Sequence, residues 1–339
     1  MKLNDKFIHK PVTLKRTVCI CSILFILLLC SAIASLLIGE TKITLSLLFS
    51  SLTNSDDSEI IKRVFFDIRL PRVLLAIVVG GGLSISGAVF QAMLKNPLAE
   101  PYILGVSSGA SVGTLIAIML GFNIWFIGTP IFAFTGSIIV VTLVYYLGRR
   151  YGILDTNTML LSGVMVGSFL NAIVLFLISF IGQPIRNALI WLLGNLSNAD
   201  AKSVFTITPI IFIASIFLYL NAAKLNLIAS GDEFAKQLGV KVEKIKNIIY
   251  ILSSIIVGCS VSLSGAIGFV GLIIPHTCRL LFGPDHRILL VTSFLSGSIF
   301  VLFMDLFART LLYPIELPVG ALTAVIGAPI FIFLLRRRK

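Results

Sequence analysis

The sequence predicts an all-α integral membrane protein of about ten transmembrane helices that forms one domain over residues 1–339, with both termini in the cytoplasm. Of the 339 residues, 57% are hydrophobic and only 12% are charged, whereas a soluble domain carries roughly 25% charged residues. Apolar runs long enough to cross a bilayer, about twenty residues each, recur from one end of the chain to the other. These observations leave no stretch for a separate soluble domain.

The apolar runs predict the helices in order. The first five lie near 17–38, 73–92, 102–121, 127–148 and 158–181. The second five lie near 204–221, 247–265, 268–283, 288–308 and 318–335. Basic residues before the first run resemble the start of a signal peptide, but the run is longer than a usual signal core, so a retained first helix is expected.

The distribution of basic residues selects the orientation of these helices. With the N-terminus in the cytoplasm, 19 of the 27 lysines and arginines lie on the cytoplasmic side and 8 on the outer side, which is the bias that cytoplasmic loops show. The net charge of +12 is spread over connectors and tails and forms no single basic patch, so no nucleic-acid partner is expected. The sequence therefore predicts a multi-pass protein embedded in a lipid membrane.

Two of the hydrophobic runs share a short motif. Ser-Ile-Ser-Gly-Ala-Val at 84–89 recurs as Ser-Leu-Ser-Gly-Ala-Ile at 262–267, in predicted helices that cross the membrane in opposite directions. This arrangement fits an inverted repeat of the kind found in transporters, although chance similarity among helices rich in small residues would give the same pattern. Glycines at four-residue spacing, as at Gly105, Gly109 and Gly113, predict close helix packing.

The sequence offers no catalytic residues, no metal site and no cofactor site. It lacks the G-x-x-x-x-G-K-[ST] loop that binds nucleotide phosphates, so ATP hydrolysis by this chain is not expected. Its three histidines, His9, His276 and His286, are far apart and lack the spacing of metal ligands. Its five cysteines match neither a zinc site nor a disulfide framework. An intramembrane enzyme is therefore disfavoured.

Ionisable residues inside the predicted spans are few. An ion-coupled secondary transporter, the alternative from another class, usually needs carboxylates or broken-helix ion sites within the membrane, so their scarcity argues against it. The notable pair is Asp305 and Arg309, near the outer end of the ninth predicted helix. Their four-residue spacing lets them pair, either as a structural ion pair or as a charge that meets a partner.

The longest predicted cytoplasmic connector, at about 222–246, is the place where energy from another protein could enter. Within it, residues 231–240 predict a short amphipathic helix that ends at a glycine. The apolar residues are expected on one face and the charged residues toward solvent: Phe234, Ala235 and Leu238 against Asp232, Glu233 and Lys236. Such a helix is either a solvated surface helix or one that inserts into a groove on a cytoplasmic motor protein.

Several motifs closely resemble those of the FecCD permease family, in the family's order and across nearly the whole chain. They are Arg-Leu-Pro-Arg at 69–72, Ser-Gly-Ala-Val-Phe-Gln at 86–91, Asn-Pro-Leu-Ala-Glu-Pro at 96–101, Leu-Gly-Val at 104–106, Gly-Ala-Ile-Gly-Phe-Val-Gly-Leu-Ile-Ile-Pro-His at 265–276, Glu-Leu-Pro-Val-Gly at 316–320 and Gly-Ala-Pro-Ile-Phe at 327–331.

The resemblance implies the permease fold of a type II ABC importer in a bacterial or archaeal cell membrane. The implied partners are a second permease subunit, the same or a related chain, together with two ABC ATPase subunits that bind ATP and Mg, and an extracytoplasmic substrate-binding protein. The implied cargo is a ferric siderophore or a similar metal chelate, with haem and cobalamin as alternatives. The chain itself would bind no cofactor and would not be an enzyme.

The resemblance also assigns roles to single residues at the outer face. Arg69, Arg72 and Arg309 match arginines that pair with glutamates of the binding protein in this family, and the predicted topology puts all three at the outer side. Charges at such a rim set the encounter rate and the register of docking more than the affinity. The match favours a docking role for Arg309 over the structural ion pair.

Further matches lie on the cytoplasmic side. Asn96 and Leu98 match one position of the cytoplasmic gate, and Thr156 and Asn157 match a second, where Asn157 replaces a small hydroxyl residue. The coupling helix that inserts into the ATPase corresponds to Gly231, Asp232, Glu233, Phe234, Ala235, Lys236, Gln237, Leu238 and Gly239. The residues expected to line the translocation pathway are Ser162, Ser168 and Asn171, on the fifth predicted helix.

Overall fold

The computed structural model describes residues 13–39, 58–122, 128–150, 153–182, 185–197 and 200–336. The helices of the first half are α1 Leu14–Leu37, α2 Ser58–Arg63, a π-helical turn Val64–Arg69, α3 Leu70–Met93, a 3-10 turn Pro101–Leu104, α4 Val106–Met119, α5 Gly128–Leu147 and α6 Thr156–Ile178. Those of the second half are α7 Ile185–Leu192, α8 Ala201–Leu220, α9 Ala222–Ser230, α10 Asp232–Gln237, α11 Val242–Ser264, α12 Val270–Phe282, α13 His286–Thr310 and α14 Val319–Arg336. Two short antiparallel strands, β1 Arg149–Arg150 and β2 Ile153–Leu154, join α5 to α6.

The predicted all-helical membrane architecture is confirmed. Among the described residues, seven helices are long and apolar enough to cross a membrane, and three apolar helices, α4, α12 and α14, are shorter. Each of the ten predicted spans overlaps one of these ten helices. The sequence did not predict α7 or α9, which have 8 and 9 residues and are too short to form a membrane span.

The centre of the bundle is α3, which is buried along nearly its whole length. A Cβ atom at Gly87 would overlap the carbonyl oxygen of Gly271 in α12, and one at Gly80 would overlap that of Gly297 in α13. Backbones in direct contact gain dispersion energy without needing a hydrophobic force, which lipid cannot supply. The glycine of the Ser-Gly-Ala-Val motif is therefore required by packing.

The predicted close packing of the spaced glycines is confirmed between α4 and α5. A Cβ atom at Gly113 would overlap the carbonyl oxygen of Phe132, and one at Gly136 would overlap that of Gly109. The four-residue spacing of Gly109 and Gly113 places both on the face of α4 that meets α5, because residues four apart lie one above the other along a helix.

The predicted span 102–121 is not one continuous helix. Pro101–Leu104 forms a 3-10 turn, and Gly105 has the left-handed φ of 75° at which α4 begins. Glycine takes this conformation without steric cost. The helix that remains, α4, has 14 residues and a length of about 21 Å.

A second break separates α11 from α12. Residues from the segment just before α4 hold the loop at this second break through hydrogen bonds. Gly265 ends α11 with a φ of 65°, and Phe269 begins α12 with a φ of 67°. Glu100 Oε1 accepts a hydrogen bond from the Phe269 amide at 2.6 Å, and the Tyr102 hydroxyl accepts one from the Ile267 amide at 3.1 Å. The loop before α4 thus satisfies amides that the break leaves unpaired.

The two copies of the repeated motif differ in local structure. Residues 84–89 lie inside α3, whereas 262–267 span the end of α11. The inverted repeat itself stays a prediction.

The ends of the helices alternate as the predicted topology requires. Arg16, in the first turn of α1, donates to the carbonyl of Phe282 at the end of α12 at 3.4 Å. The last turn of α1 meets Arg69 and Arg309 at the opposite end of the bundle. We call the end that holds Arg69 and Arg309 the outer end, and the end that holds Phe282 the inner end, following the orientation predicted from charge.

Candidate functional site

Five charged residues form a cluster at the outer end, here called the arginine cluster: Arg69, Arg72, Asp305, Arg309 and Glu316. At its centre, the Nε atom of Arg72 donates to Asp305 Oδ1 at 2.9 Å. The terminal nitrogens of the same guanidinium donate to the two oxygens of Glu316, at 2.9 and 3.2 Å. Such two-pronged contacts fix the orientation of a guanidinium as well as its position.

The other two arginines tie the cluster to the first helix. Arg309 Nε lies 3.2 Å from Asp305 Oδ2, so the ion pair that the four-residue spacing allows is present, and the docking role that the family resemblance favoured for Arg309 stays a prediction. Its Nη2 atom donates to the carbonyl of Ser35 at 3.1 Å, and Arg69 Nη1 donates to the carbonyl of Leu36 at 2.7 Å. Cations at the C-terminus of α1 satisfy carbonyl groups that the helix leaves free.

Burial of the cluster is uneven. Arg72 is 6% exposed and Asp305 is fully buried, whereas the side chain of Glu316 is 36% exposed. Removing one member of a buried, hydrogen-bonded ion pair leaves the other charge uncompensated and costs about 3–5 kcal/mol. The arginines predicted to meet a binding protein are thus held by partners within the chain, and Glu316 is the partner nearest solvent.

A cavity of about 620 Å³ lies beside the cluster at the outer end. Glu316 forms part of its wall, with Arg186 and Trp191 from α7, Asp200 before α8 and Ser262 from α11. Charged, hydroxyl and aromatic side chains therefore share one concave surface next to the arginine cluster.

The predicted coupling segment lies at the inner end, and its anchor is Asp232. The Asp232 carboxylate pairs with Lys95 at 2.9 Å and with Lys246 at 2.5 Å. Partial burial alone would raise the pKa of Asp232, but the hydrogen bonds from Lys246 and Lys95 outweigh burial and lower it below the ordinary value. The expectation that Asp232 faces solvent was wrong, because these two lysines from α11 and the end of α3 draw its carboxylate inward.

The predicted short helix is present as α10, and it ends as expected. Gly239 adopts a φ of 81°, and the Val240 amide donates back to the carbonyl of Ala235 at 3.0 Å, the hydrogen bond of a glycine-terminated helix. Phe234 is 50% exposed and Leu238 is 55% exposed, whereas Ala235 is fully buried. The prediction that these three share a face was wrong, because Ala235 packs inward while the two larger side chains point away from the bundle.

The remaining residues of the segment either allow its backbone to bend or lie on its exposed surface. Gly231 has a φ of 144°, which allows the sharp bend between α9 and α10. Glu233 and Lys236 form an exposed pair at 2.8 Å, and this pair raises the pKa of Lys236 through the hydrogen bond from its ammonium to Glu233. Gln237 is also exposed. An anchored helix with outward apolar side chains can dock in a groove of another protein.

The residues predicted for the gates occupy two turns of the chain. Asn96 Oδ1 accepts a hydrogen bond from the Leu98 amide at 2.9 Å, and Leu98 is exposed. Thr156 and Asn157 are the first residues of α6, where Asp155 caps the helix by accepting from the Thr158 amide. No hydrogen bond or ion pair joins the two pairs in the part of the chain that the structure describes.

The residues predicted to line a pathway lie on α6, which has a broad exposed surface. Ser168 and Asn171 are exposed and Ser162 is partly buried. The Ser108 hydroxyl of α4 donates to Asn171 Oδ1 at 3.0 Å. Large apolar side chains such as Phe169 are also exposed on this helix, so α6 presents a mixed surface to lipid or to another protein.

Sequence analysis missed the partners that hold these sites. Lys95 and Lys246 looked like ordinary basic residues of cytoplasmic connectors, and only the fold brings both to Asp232. Glu316 lies in a motif shared with the family, which was the one available signal, but nothing local connects it to Arg72. Among the described residues, no group of three or more His, Cys, Asp or Glu side chains could hold a metal ion.

Comparison with known proteins identifies relatives over nearly the whole chain. The FecCD transport family matches residues 26–337. The cobalamin import system permease protein of Halobacterium salinarum is 44% identical over 272 residues, which are 80% of this chain and 73% of that protein. The hemin transport system permease protein of Yersinia pestis is 37% identical over 322 residues, 93% of this chain and 95% of that protein.

A solved structure is also similar. It is an ABC transporter described as of the metal-chelate type, in an inward-facing conformation. The two chains superpose with a TM-score of 0.84 at 32% identity, over 94% of this chain and 99% of the other.

Proposed function

Because this chain belongs to the FecCD transport family, we propose that it carries a ferric siderophore or a similar metal chelate across the membrane. It is a multi-pass permease of an ABC importer for siderophore-, haem- or cobalamin-type substrates. It is not an enzyme and binds no cofactor. ATPase and binding-protein partners are implied by the same membership.

The cargo proposal rests on one observation, the similarity over 94% of the chain to a transporter described as of the metal-chelate type. Two relatives favour other members of the same substrate group. The 44% identical protein is named for cobalamin and the 37% identical protein for hemin, so both compounds compete with a ferric siderophore in the test below.

The coupling helix is proposed to receive force from the ATPase. Phe234 and Leu238 point away from the bundle, where they can fill an apolar groove, and Asp232 anchors the helix to α3 and α11 through two lysines. ATP-driven closure of two ATPase subunits would push α10, and the anchors would pass that push to the membrane helices. The gates at Asn96 and Leu98 and at Thr156 and Asn157 would then open and close in turn.

The arginine cluster is proposed to dock the binding protein. Its three arginines outnumber its two carboxylates, so it attracts acidic groups. Glu316 is the partner of Arg72 nearest solvent. A carboxylate of the binding protein can take the place of Glu316 beside Arg72 without leaving the buried guanidinium unpaired. Arg69 and Arg309 would set the register of that encounter.

The exposed surface of α6 is proposed to face a second permease subunit, the same or a related chain. Exposed apolar side chains such as Phe169 and Leu175 would pack at that interface. Ser162, Ser168 and Asn171 would offer polar groups to the translocation pathway between the two subunits.

The cargo is tested with liposomes that hold this chain, its ATPase and its binding protein. Radiolabelled ferric siderophore, haem and cobalamin are offered separately at equal concentration, with and without internal ATP. The proposal expects ATP-dependent uptake of the siderophore at least about tenfold above the other two. Uptake of cobalamin or haem alone would reassign the cargo within the same substrate group.

A further inference from the structure

One asparagine in the inner connector has both ends of its side-chain amide bonded to another helix. Asn226 in α9 donates through Nδ2 to Asp285 Oδ1 at 2.7 Å, and its Oδ1 accepts from the His286 backbone amide at 2.8 Å. A backbone N–H can only donate, so the atom facing it must be the oxygen, which fixes the orientation of the amide.

The same oxygen determines that the Nδ1 atom of the neighbouring imidazole carries a proton. His286 Nδ1 lies 2.7 Å from Asn226 Oδ1, and because that oxygen only accepts, Nδ1 carries a proton. Asp285 also accepts from the Arg287 amide at 2.9 Å and so caps the start of α13. We call Asn226, Asp285 and His286 the inner lock. It joins the coupling segment to the first turn of α13.

The helix held by the inner lock is the one that carries the arginine cluster at its other end. It has 25 residues and a length of about 37 Å, and it holds Asp305 and Arg309 in its last two turns. A single helix, α13, therefore runs from the inner lock beside the coupling segment to the arginine cluster. Between these two ends, Ser298 in α13 donates to the carbonyl of Ile77 in α3 at 2.7 Å.

The other anchors of the coupling segment do not reach α13. Asp232 pairs with Lys95 after α3 and with Lys246 in α11. Among the described residues, the hydrogen bonds between the coupling segment at 222–246 and α13 or its cap are those of Asn226.

We infer that Asn226 is a positioning residue that ties the coupling segment to α13, so that a change at the arginine cluster is passed along α13 to the surface that faces the ATPase. The partner named for that surface rests on the proposed function. Removing the inner lock would leave the coupling segment held by the ion pairs of Asp232 and by apolar packing such as that of Ala235, without a hydrogen bond to α13, and would weaken the link between the two ends of the molecule. Coupling of this kind requires one structural element, here α13, whose arrangement is shifted both by the arginine cluster and by the coupling segment.

The test is hydrogen–deuterium exchange of the full chain in lipid nanodiscs, followed by mass spectrometry of peptides from 222–237. Asn226→Asp places a carboxylate against Asp285 and should speed exchange there at least about tenfold. Adding Asp285→Asn removes the repulsion between the two carboxylates, but the single atom that faces both residue 226 and the Arg287 amide cannot donate to one and accept from the other. The double variant should therefore exchange more slowly than Asn226→Asp and faster than the native chain.

A matched control adds the same charge nearby. Asn221→Asp lies just before α9, where the native amide bonds to Phe217 and Lys224, and it should change exchange less than about twofold. Equal effects of Asn221→Asp and Asn226→Asp, or a double variant that exchanges as fast as Asn226→Asp alone, would overturn the inner lock.

The link to the outer end is tested in the same assay. Asp305→Asn should speed exchange at 222–237 at least about threefold in the native background and have no further effect when Asn226→Asp is present. Glu316→Gln, at the exposed edge of the cluster, should act in the same direction and serves if Asp305→Asn does not fold. Faster exchange confined to the outer end in these variants would refute transmission along α13.

These measurements need neither cargo nor partner, so they fail or succeed separately from the proposed function. In liposomes with the ATPase and binding protein, Asn226→Asp should lower the ratio of binding-protein-stimulated to basal ATP hydrolysis, and the double variant should give a ratio between those of Asn226→Asp and the native chain. An unchanged ratio in Asn226→Asp would contradict the role in transmission.

Discussion

Replacing Gly87 by alanine is expected to destabilise the helix bundle, whereas the same change at Gly167 is expected to be neutral or stabilising. Both glycines lie inside apolar helices, and the two changes add the same methyl group. A Cβ atom at Gly87 would overlap the Gly271 carbonyl oxygen, while one at Gly167 would lie 3.6 Å from Gly105 Cα and 3.8 Å from Ser108 Oγ, which are ordinary van der Waals distances.

The magnitude follows from what the added methyl group displaces. At Gly87 the obstacle is backbone, so α3 and α12 must separate, and overpacking of this kind costs about 1–3 kcal/mol. Separation also strains the hydrogen bonds from Gln91 Nε2 to the carbonyls of Gly271 and Leu272, at 3.4 and 3.2 Å, worth about 1 kcal/mol. The helix propensity of alanine returns about 1 kcal/mol, which leaves a net loss of about 1–3 kcal/mol.

The assay is reversible unfolding of the purified chain by sodium dodecyl sulfate in mixed micelles, followed by circular dichroism. Gly167→Ala should raise the free energy of unfolding by up to about 1 kcal/mol. Equal stability of the two variants, or a Gly87→Ala variant as stable as the native chain, would refute the reasoning that backbone contact at α3 requires this glycine.

Three further predictions concern the sites. Phe234→Asp should weaken assembly with the ATPase at least about tenfold, whereas Gln237→Asp on the same exposed helix should change it little; co-purification checks both, and equal losses would contradict the docking of Phe234. Protonation of Asp232 should release the coupling segment: because its pKa is lowered, its contribution is fully present above the ordinary value of 3.8 and is lost as the pH falls through the lowered pKa. Exchange protection of 231–239 should therefore persist from neutral pH to 3.8, and loss already near neutral pH would be inconsistent with the lysine pairs. Arg69→Gln should slow association of the binding protein and reduce its salt dependence, while Lys202→Gln at the same end should do neither, as stopped-flow measurements at several salt concentrations would show.

Much of the fold could be predicted because lipid imposes long apolar runs and small residues at helix contacts. The predicted spans overlap the ten apolar helices, and the ion pair of Asp305 and Arg309 is one of the two alternatives that their spacing left open. The break at Gly105 was not predicted, because hydropathy alone shows one continuous apolar run there. The boundary between 247–265 and 268–283 was predicted, but the hydrogen bonds that hold it were not, because Glu100 and Tyr102 supply the acceptors from a distant part of the chain.

The candidate sites were predictable in position but not in their internal bonding. The family resemblance pointed to the outer arginines, and the amphipathic pattern at 231–240 predicted the short inner helix. The partners of Arg72 and Asp232 lie up to 244 residues away in sequence, and no local pattern connects them. Asn226 gave no signal at all, because an asparagine in a basic connector looks like a solvated loop residue until the fold places it against α13.

The claim that this chain is the permease of an ATP-driven importer is tested most directly by separating the two energy sources. Liposomes holding the chain are assayed for uptake of labelled ferric siderophore, haem and cobalamin, either with ATPase, binding protein and internal ATP, or with an imposed proton or sodium gradient alone. The account predicts uptake of at least one compound that requires ATP and both partners and persists when the gradients are collapsed. Uptake driven by a gradient in the absence of the ATPase would contradict it.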